Sequence, residues 1–125
     1  MKWDAWRFSA HLAWQDAFVR WTTVVPGAVT VTWISYYLWR LIPEGLRSGV
    51  LVLHYNIYLG IDDVRAWPWI FLSPGIMLLI LLTNTSIAFG LYRTDTLAAR
   101  TLMVVSVVLV AIWIVSSFFL IHVNL

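Results

Sequence analysis

The sequence predicts an all-α membrane protein: three transmembrane helices, an N-terminal amphipathic interfacial helix ahead of them, and one short extended outer loop. Three observations predict it. First, 62% of the 125 residues are hydrophobic and only 8 are basic and 6 acidic, against roughly a quarter charged in ordinary soluble domains. Second, the charges leave three charge-free stretches, Trp21 to Trp39, Ala66 to Tyr92 and Thr101 to Leu125. Each is close to or beyond the roughly 20 residues with which a helix crosses about 30 Å of hydrocarbon. Third, Trp21, Trp39, Trp67, Trp69 and Tyr92 stand at the edges of these stretches, where interfacial aromatic belts fall. A soluble domain could not cover its surface with so few polar groups, and a disordered chain would not carry so much apolar surface. The division is therefore an arm over 1–22 and a membrane domain over 23–125, with spans near 23–41, 70–91 and 95–121 and an outer loop over 43–66.

In the arm, Trp3, Trp6, Ala10, Ala13, Trp14, Ala17 and Trp21 fall within about 100° of arc at helical spacing. Lys2, Asp4, Ser9, His11, Gln15, Asp16 and Arg20 lie away from that stripe. The pattern suits a helix at the membrane interface, with Trp3, Trp6, Trp14 and Trp21 as its anchors. Phe8, Leu12 and Val19 interrupt the polar face, so docking on protein is the alternative. The first span places Pro26 in its first turn, where a missing amide costs little, and Pro43 at its close. It is too long for a signal-peptide core, and "RLIPEGLRSG" lacks a small-x-small cleavage site; a signal anchor is expected.

The outer loop reads "PEGLRSGVLVLHYNIYLGIDDVRA". Val50 to Leu59, β-branched and aromatic between two glycines, is expected to be extended. Strict alternation puts Leu51, Leu53, Tyr55, Ile57 and Leu59 on one face and Val50, Val52, His54, Asn56 and Tyr58 on the other. A lone strand leaves its backbone unpaired, so it must pair with another chain, form a hairpin or lie on the helices. His54, Asn56 and Tyr58, with Asp62 and Asp63 just beyond, form the one cluster of chemically capable side chains, a candidate ligand- or partner-binding loop. One His with two neighbouring carboxylates is an incomplete metal set, and no nucleophile accompanies it. No enzyme, metal or cofactor is expected.

The second span has Pro74 and Gly75 just inside its start, and Thr94 or Asp95 can cap the third. No Asp, Glu, Lys, Arg or His lies centrally in any span, which argues against proton relays, voltage sensing, many ion-coupled transporters and mid-membrane haem ligation. His11, His54 and His122 all fall at or beyond the interface. Small and neutral polar residues remain for helix packing: Ala28, Thr32 and Ser35 on the first helix, Ser73 and Asn84 on the second, and Ser106 and Ser117 beside Trp113 on the third. With no cysteine there is no disulfide or thiolate chemistry, and the net charge of +2 includes no basic stripe for nucleic acid. With the N-terminus inside, Lys2, Arg7, Arg20, Arg93 and Arg100 are cytoplasmic and Arg40, Arg47 and Arg65 outside. That bias sets the expected orientation.

"HYNIYLGIDD", followed by a helix with Pro74 near its start and Asn84 inside, resembles uncharacterised small bacterial three-helix membrane proteins with a His-Tyr-Asn and Gly-Ile-Asp outer loop. It resembles more distantly the domain of unknown function of sporulation-delaying-toxin immunity proteins. The resemblance spans about residues 50–90. The chain departs from that domain in lacking its prolines ahead of the His, in its longer Asn-to-Gly spacing and in having three spans. The resemblance implies a bacterial inner-membrane protein with a structured outer loop, and transfers no activity. The function expected is that of a non-catalytic accessory or interaction subunit in the lipid bilayer, as a homo-oligomer or within a larger membrane complex. The alternative is a sensor or immunity-type protein that recognises an extracytoplasmic ligand through the loop.

Overall fold

The computed structural model describes residues 3–56 and 58–125, apart from the side chain of Asp62. The chain runs α1 (Trp3–Gln15), α2 (Ala17–Ser48), β1 (Val50–Asn56), β2 (Gly60–Ala66), a 3-10 turn (Trp67–Phe71), α3 (Leu72–Leu91) and α4 (Thr96–Asn124). It is mostly helical with one small antiparallel sheet. Two helical stretches, Trp67–Leu91 and Thr96–Asn124, are long and apolar enough to cross a membrane. α2 is long enough at 32 residues, but Thr30, Thr32, Ser35, Tyr36 and Tyr37 dilute its apolar content, so it does not join them.

The arm and first span differ from their expected bounds. Residues 3–48 are broken at Asp16, whose extended backbone (φ −71°, ψ 116°) and side chain cap α2. Residues 17–22 thus belong to α2, and Pro26 lies well inside it rather than in its first turn. Nor does Pro43 end this helix. Proline removes one amide, but Leu41 and Gly45 are buried on either side of it, and Arg47 pairs with Glu44 at 2.6 Å. Helix therefore continues until Gly49, in a left-handed conformation, donates its N–H to the Gly45 carbonyl at 2.8 Å. Gly45 is required for packing: a Cβ there would meet the Trp67 Cβ at 2.6 Å.

α4 packs between α2 and α3, which touch each other little. It runs antiparallel to α3, Met77 and Leu81 meeting Val110, and parallel to α2. Val19, Ala88, Ala99 and Met103 form a core at one end, joined by Ala13 of α1. Tyr37, Leu41, Leu51, Ile70 and Ile121 form one at the other. Between them the Trp33 indole donates to Ser117 Oγ at 2.6 Å, the Trp113 indole to Ser73 Oγ at 2.8 Å, and Asn84 to Ser106 Oγ at 3.3 Å. Asp95 caps α4 by accepting from the Ala98 amide at 2.9 Å.

The segment expected as an outer loop over 43–66 holds the end of α2 and then a hairpin of β1 and β2. Gly60, at φ 77°, supplies the left-handed step that only glycine takes cheaply, and Asn56 Oδ1 accepts from the Tyr58 amide at 2.9 Å to tighten the turn. Residue 57, on the expected alternation, lies outside the described residues. The hairpin is fastened to the end of α4 by Asn124: its Oδ1 accepts from the Val52 amide at 2.7 Å and its Nδ2 donates to the Val52 carbonyl at 2.8 Å. One side chain thus fills the place of a neighbouring strand.

Replacing Asn124 with Ala should cost about 1–3 kcal/mol locally and speed hydrogen exchange at the Val52 amide and along the hairpin. The helices should remain protected. Asn124→Asp should do nearly as much harm, because a carboxylate cannot donate to the Val52 carbonyl.

Candidate functional site

A cavity of about 720 Å³ lies under the hairpin between the halves of α3 and α4 nearest to it, with Tyr37 of α2 contributing to its lining. That volume is in the range of small-molecule sites. Its walls are apolar, including Leu72, Ile76, Ile80, Leu109 and Ile112. Leu72, Ile76, Ile80 and Ile112 are exposed, so the cavity is open along the side of the α3–α4 pair rather than enclosed. His54, Asp63 and Arg65 of the hairpin line its polar end, and Ser73, Trp113 and Ser116 add polar atoms below.

The hairpin places these groups through an irregular register. His54 pairs with Asp63, and the pairing shifts on both sides of His54. Strict alternation therefore fails, and the consecutive residues Leu53 and His54 both reach the cavity. Asp63 accepts from Arg65 Nε at 2.9 Å, and the Arg65 guanidinium stands 5.0 Å from the Trp69 ring centroid. Of the loop residues singled out by sequence, His54 and Asp63 come together at the cavity. Asn56 serves the turn, and Tyr58 is 92% exposed at its tip. Asp62 lies in β2, its side chain outside the described residues. Arg65, Trp69 and Ser73 were not singled out for the site; Arg65 is two residues beyond Asp63 and so on the same strand face, the one signal that could have found it. Among the described residues no three His, Asp or Glu gather into a metal-holding group.

The packing residues divide. Asn84, Ser106 and Ser117 lie in the helix contacts described above. Ala28, Thr32 and Ser35 are exposed; the Thr32 and Ser35 hydroxyls turn back onto the carbonyls of Ala28 and Val31, each at 2.9 Å. The packed face of α2 is instead Val19, Pro26, Thr30, Tyr37, Leu41 and Gly45.

At the opposite end, α1 lies along the last turns of α3. The Trp6 indole donates to the Ser86 carbonyl at 3.1 Å. Buried Ser9, on the expected polar face, donates to the Gly90 carbonyl at 3.1 Å and accepts from the Arg93 amide at 3.0 Å, so another helix caps α3. Trp3, Trp14 and Trp21 remain exposed. Asp16 gathers this end: Oδ1 accepts from the Phe18 amide at 2.9 Å, and Oδ2 from the Tyr92 hydroxyl at 2.8 Å and two Arg100 nitrogens at 3.0 and 2.7 Å. Burial pushes the Asp16 carboxyl up, but the bonds from Arg100, Tyr92 and the Phe18 amide outweigh it and hold the group below its ordinary value. The same hydrogen bond raises Tyr92.

No family model, curated protein or solved structure matches the chain.

A lowered folded pKa means that the Asp16 contribution to stability is full above the unfolded carboxylate's pKa and is lost as pH falls through the folded one. Thermal unfolding in detergent should therefore weaken on acidification below about pH 4. Asp16→Asn should unfold at lower temperature at pH 7 and show a smaller acid-dependent drop.

Proposed function

We propose that this chain is a small, non-catalytic integral membrane protein that takes an amphiphilic ligand from the bilayer into the hairpin-roofed cavity. The single observation that carries this reading is the cavity itself, apolar along its length, open sideways, and closed at one end by the charged hairpin residues. Such a shape matches a molecule with a hydrocarbon body and a polar head. In this reading α2 is a third crossing, since it lies alongside α4 from Val19 to Leu41. The basic residues Arg7, Arg20, Arg93 and Arg100 share one end of the bundle and Arg40, Arg47 and Arg65 the other. The excess at the first end, four against three among the described residues, makes it the cytoplasmic one, with the hairpin on the outer face of a bacterial inner membrane. Trp3, Trp14 and Trp21 then sit as lipid-facing anchors.

Native mass spectrometry of the chain in mild detergent should find a membrane-derived amphiphile bound. Ile76→Trp, which fills the cavity from its open wall, should lose that ligand without a lower unfolding temperature. Retention of the ligand in that variant would sink the reading.

A second reading, an interaction subunit, is favoured by one observation: Ala28, Thr32 and Ser35 form a small, exposed stripe on the least apolar of the three long helices. Such stripes let helices approach closely. If the chain self-associates there, Thr32→Trp should convert an oligomer to a monomer by native mass, whereas Val108→Trp, on the exposed face of α4, should not.

A further inference from the structure

We infer that the ligand of this cavity is a phosphate-headed amphiphile, its head on the terminal guanidinium nitrogens of Arg65 and its chain running down between α3 and α4. The inference rests on the cavity being a ligand site, as proposed above, and names what the site selects.

Arg65 is positioned as an anion receptor. Its Nε is held by Asp63 at 2.9 Å, and its guanidinium carbon lies over the Trp69 ring, 5.0 Å from the centroid. Among the described residues its terminal nitrogens have no hydrogen-bond partner, and the side chain is about half exposed, at 47%. A guanidinium fixed through Nε and an aromatic face presents the remaining N–H groups as a fork that matches phosphate oxygens. Below it, Ser73 Oγ already accepts from the Trp113 indole at 2.8 Å, which leaves its own proton to donate into the cavity it lines. An ammonium head is disfavoured, because the Asp63 carboxylate is engaged by Arg65 whereas the guanidinium has donors to spare.

The chain length follows from the walls. From Leu72 to Ile80 along α3 is about 12 Å, and from Leu109 to Leu120 along α4 about 17 Å, at roughly 1.5 Å per residue. Half of a hydrocarbon core about 30 Å thick is about 15 Å. The lining thus spans one leaflet, and its exposed side offers a path by which a chain slides in from the lipid.

The test is a native mass spectrometry titration of the full chain in an uncharged detergent. The probes are phosphatidic acid, diacylglycerol and a free fatty acid of matched chains, with dodecyl phosphate as a single-chain form of the same head. Phosphatidic acid, dodecyl phosphate or both should bind the wild type on the order of tenfold more tightly than diacylglycerol, and the tighter of the two tells whether a two-chain or single-chain lipid is the source. Arg65→Gln should remove the preference and leave diacylglycerol binding unchanged. Asp63→Asn breaks the same ion pair but keeps the guanidinium, and should retain the preference. Equal binding of diacylglycerol, equal binding of the fatty acid, a preference that survives in Arg65→Gln, or one lost equally in Asp63→Asn would each overturn the assignment. If diacylglycerol and phosphatidic acid bind alike and Ile76→Trp abolishes both, the headgroup assignment fails while the cavity reading stands. If no probe binds the wild type, both fail.

Discussion

One carboxylate sets how the helices meet. Asp16 accepts the Phe18 amide with one oxygen and the Tyr92 hydroxyl and Arg100 guanidinium with the other, so a single side chain ends α1, starts α2 and holds both to the turn between α3 and α4. Without that break residues 3–48 would extend as one rod, and Ser9 could not reach Gly90 and Arg93. The geometry is also what makes a buried charge tolerable there. Its side chain is only 10% exposed, and every bond it receives favours the ionised form, which offsets the desolvation that would otherwise neutralise it.

The far end is closed by different means. There the hairpin lies on the bundle through backbone bonds to Asn124 and through the close approach of Gly45 to Trp67. Because α4 fills the space between α2 and α3, these two helices need not meet, and the hairpin bridges what they leave open. The cavity is thus a product of topology: two ends fastened by polar contacts, three indole and amide bonds between, and a gap under the roof where no side chain is large enough to close the space.

Much of this was legible because it depends on local chemistry. Asp95 before an apolar run and the long charge-free stretches over α3 and α4 both read directly. Asp16 before Ala17 and Phe18 is also a capping signal, yet it stands within an unbroken amphipathic pattern, and its decisive partners, Tyr92 and Arg100, are more than seventy residues away. Pro43 misleads for a similar reason, since packing of Leu41 and Gly45 outweighs one lost hydrogen bond. At the hairpin, Gly60 and Asn56 mark the turn, but the irregular pairing at His54 depends on the partner strand. Period-two reasoning therefore assigned His54 and Leu53 to opposite faces, while the register delivers both to one cavity. The stripe of Ala28, Thr32 and Ser35 was found by periodicity, which identifies a face and not the element that covers it.

An apolar groove of about 720 Å³, open along one side, leaves its walls facing whatever surrounds the bundle. Water is a poor filler for most of it: a water needs two to four polar partners, and the walls from Ile76 to Ile112 supply none. An empty volume would deprive those side chains of dispersion contacts on one side. In a bilayer the cost resolves itself, since hydrocarbon is the surrounding solvent and the cavity is open to it through the same exposed residues. What a bulk lipid chain does not explain is the charged roof. A groove that merely accommodated solvent would not need a guanidinium bonded by an aspartate and set beside a tryptophan ring, and under the proposed function that arrangement is where selection among otherwise equivalent chains would have a physical basis.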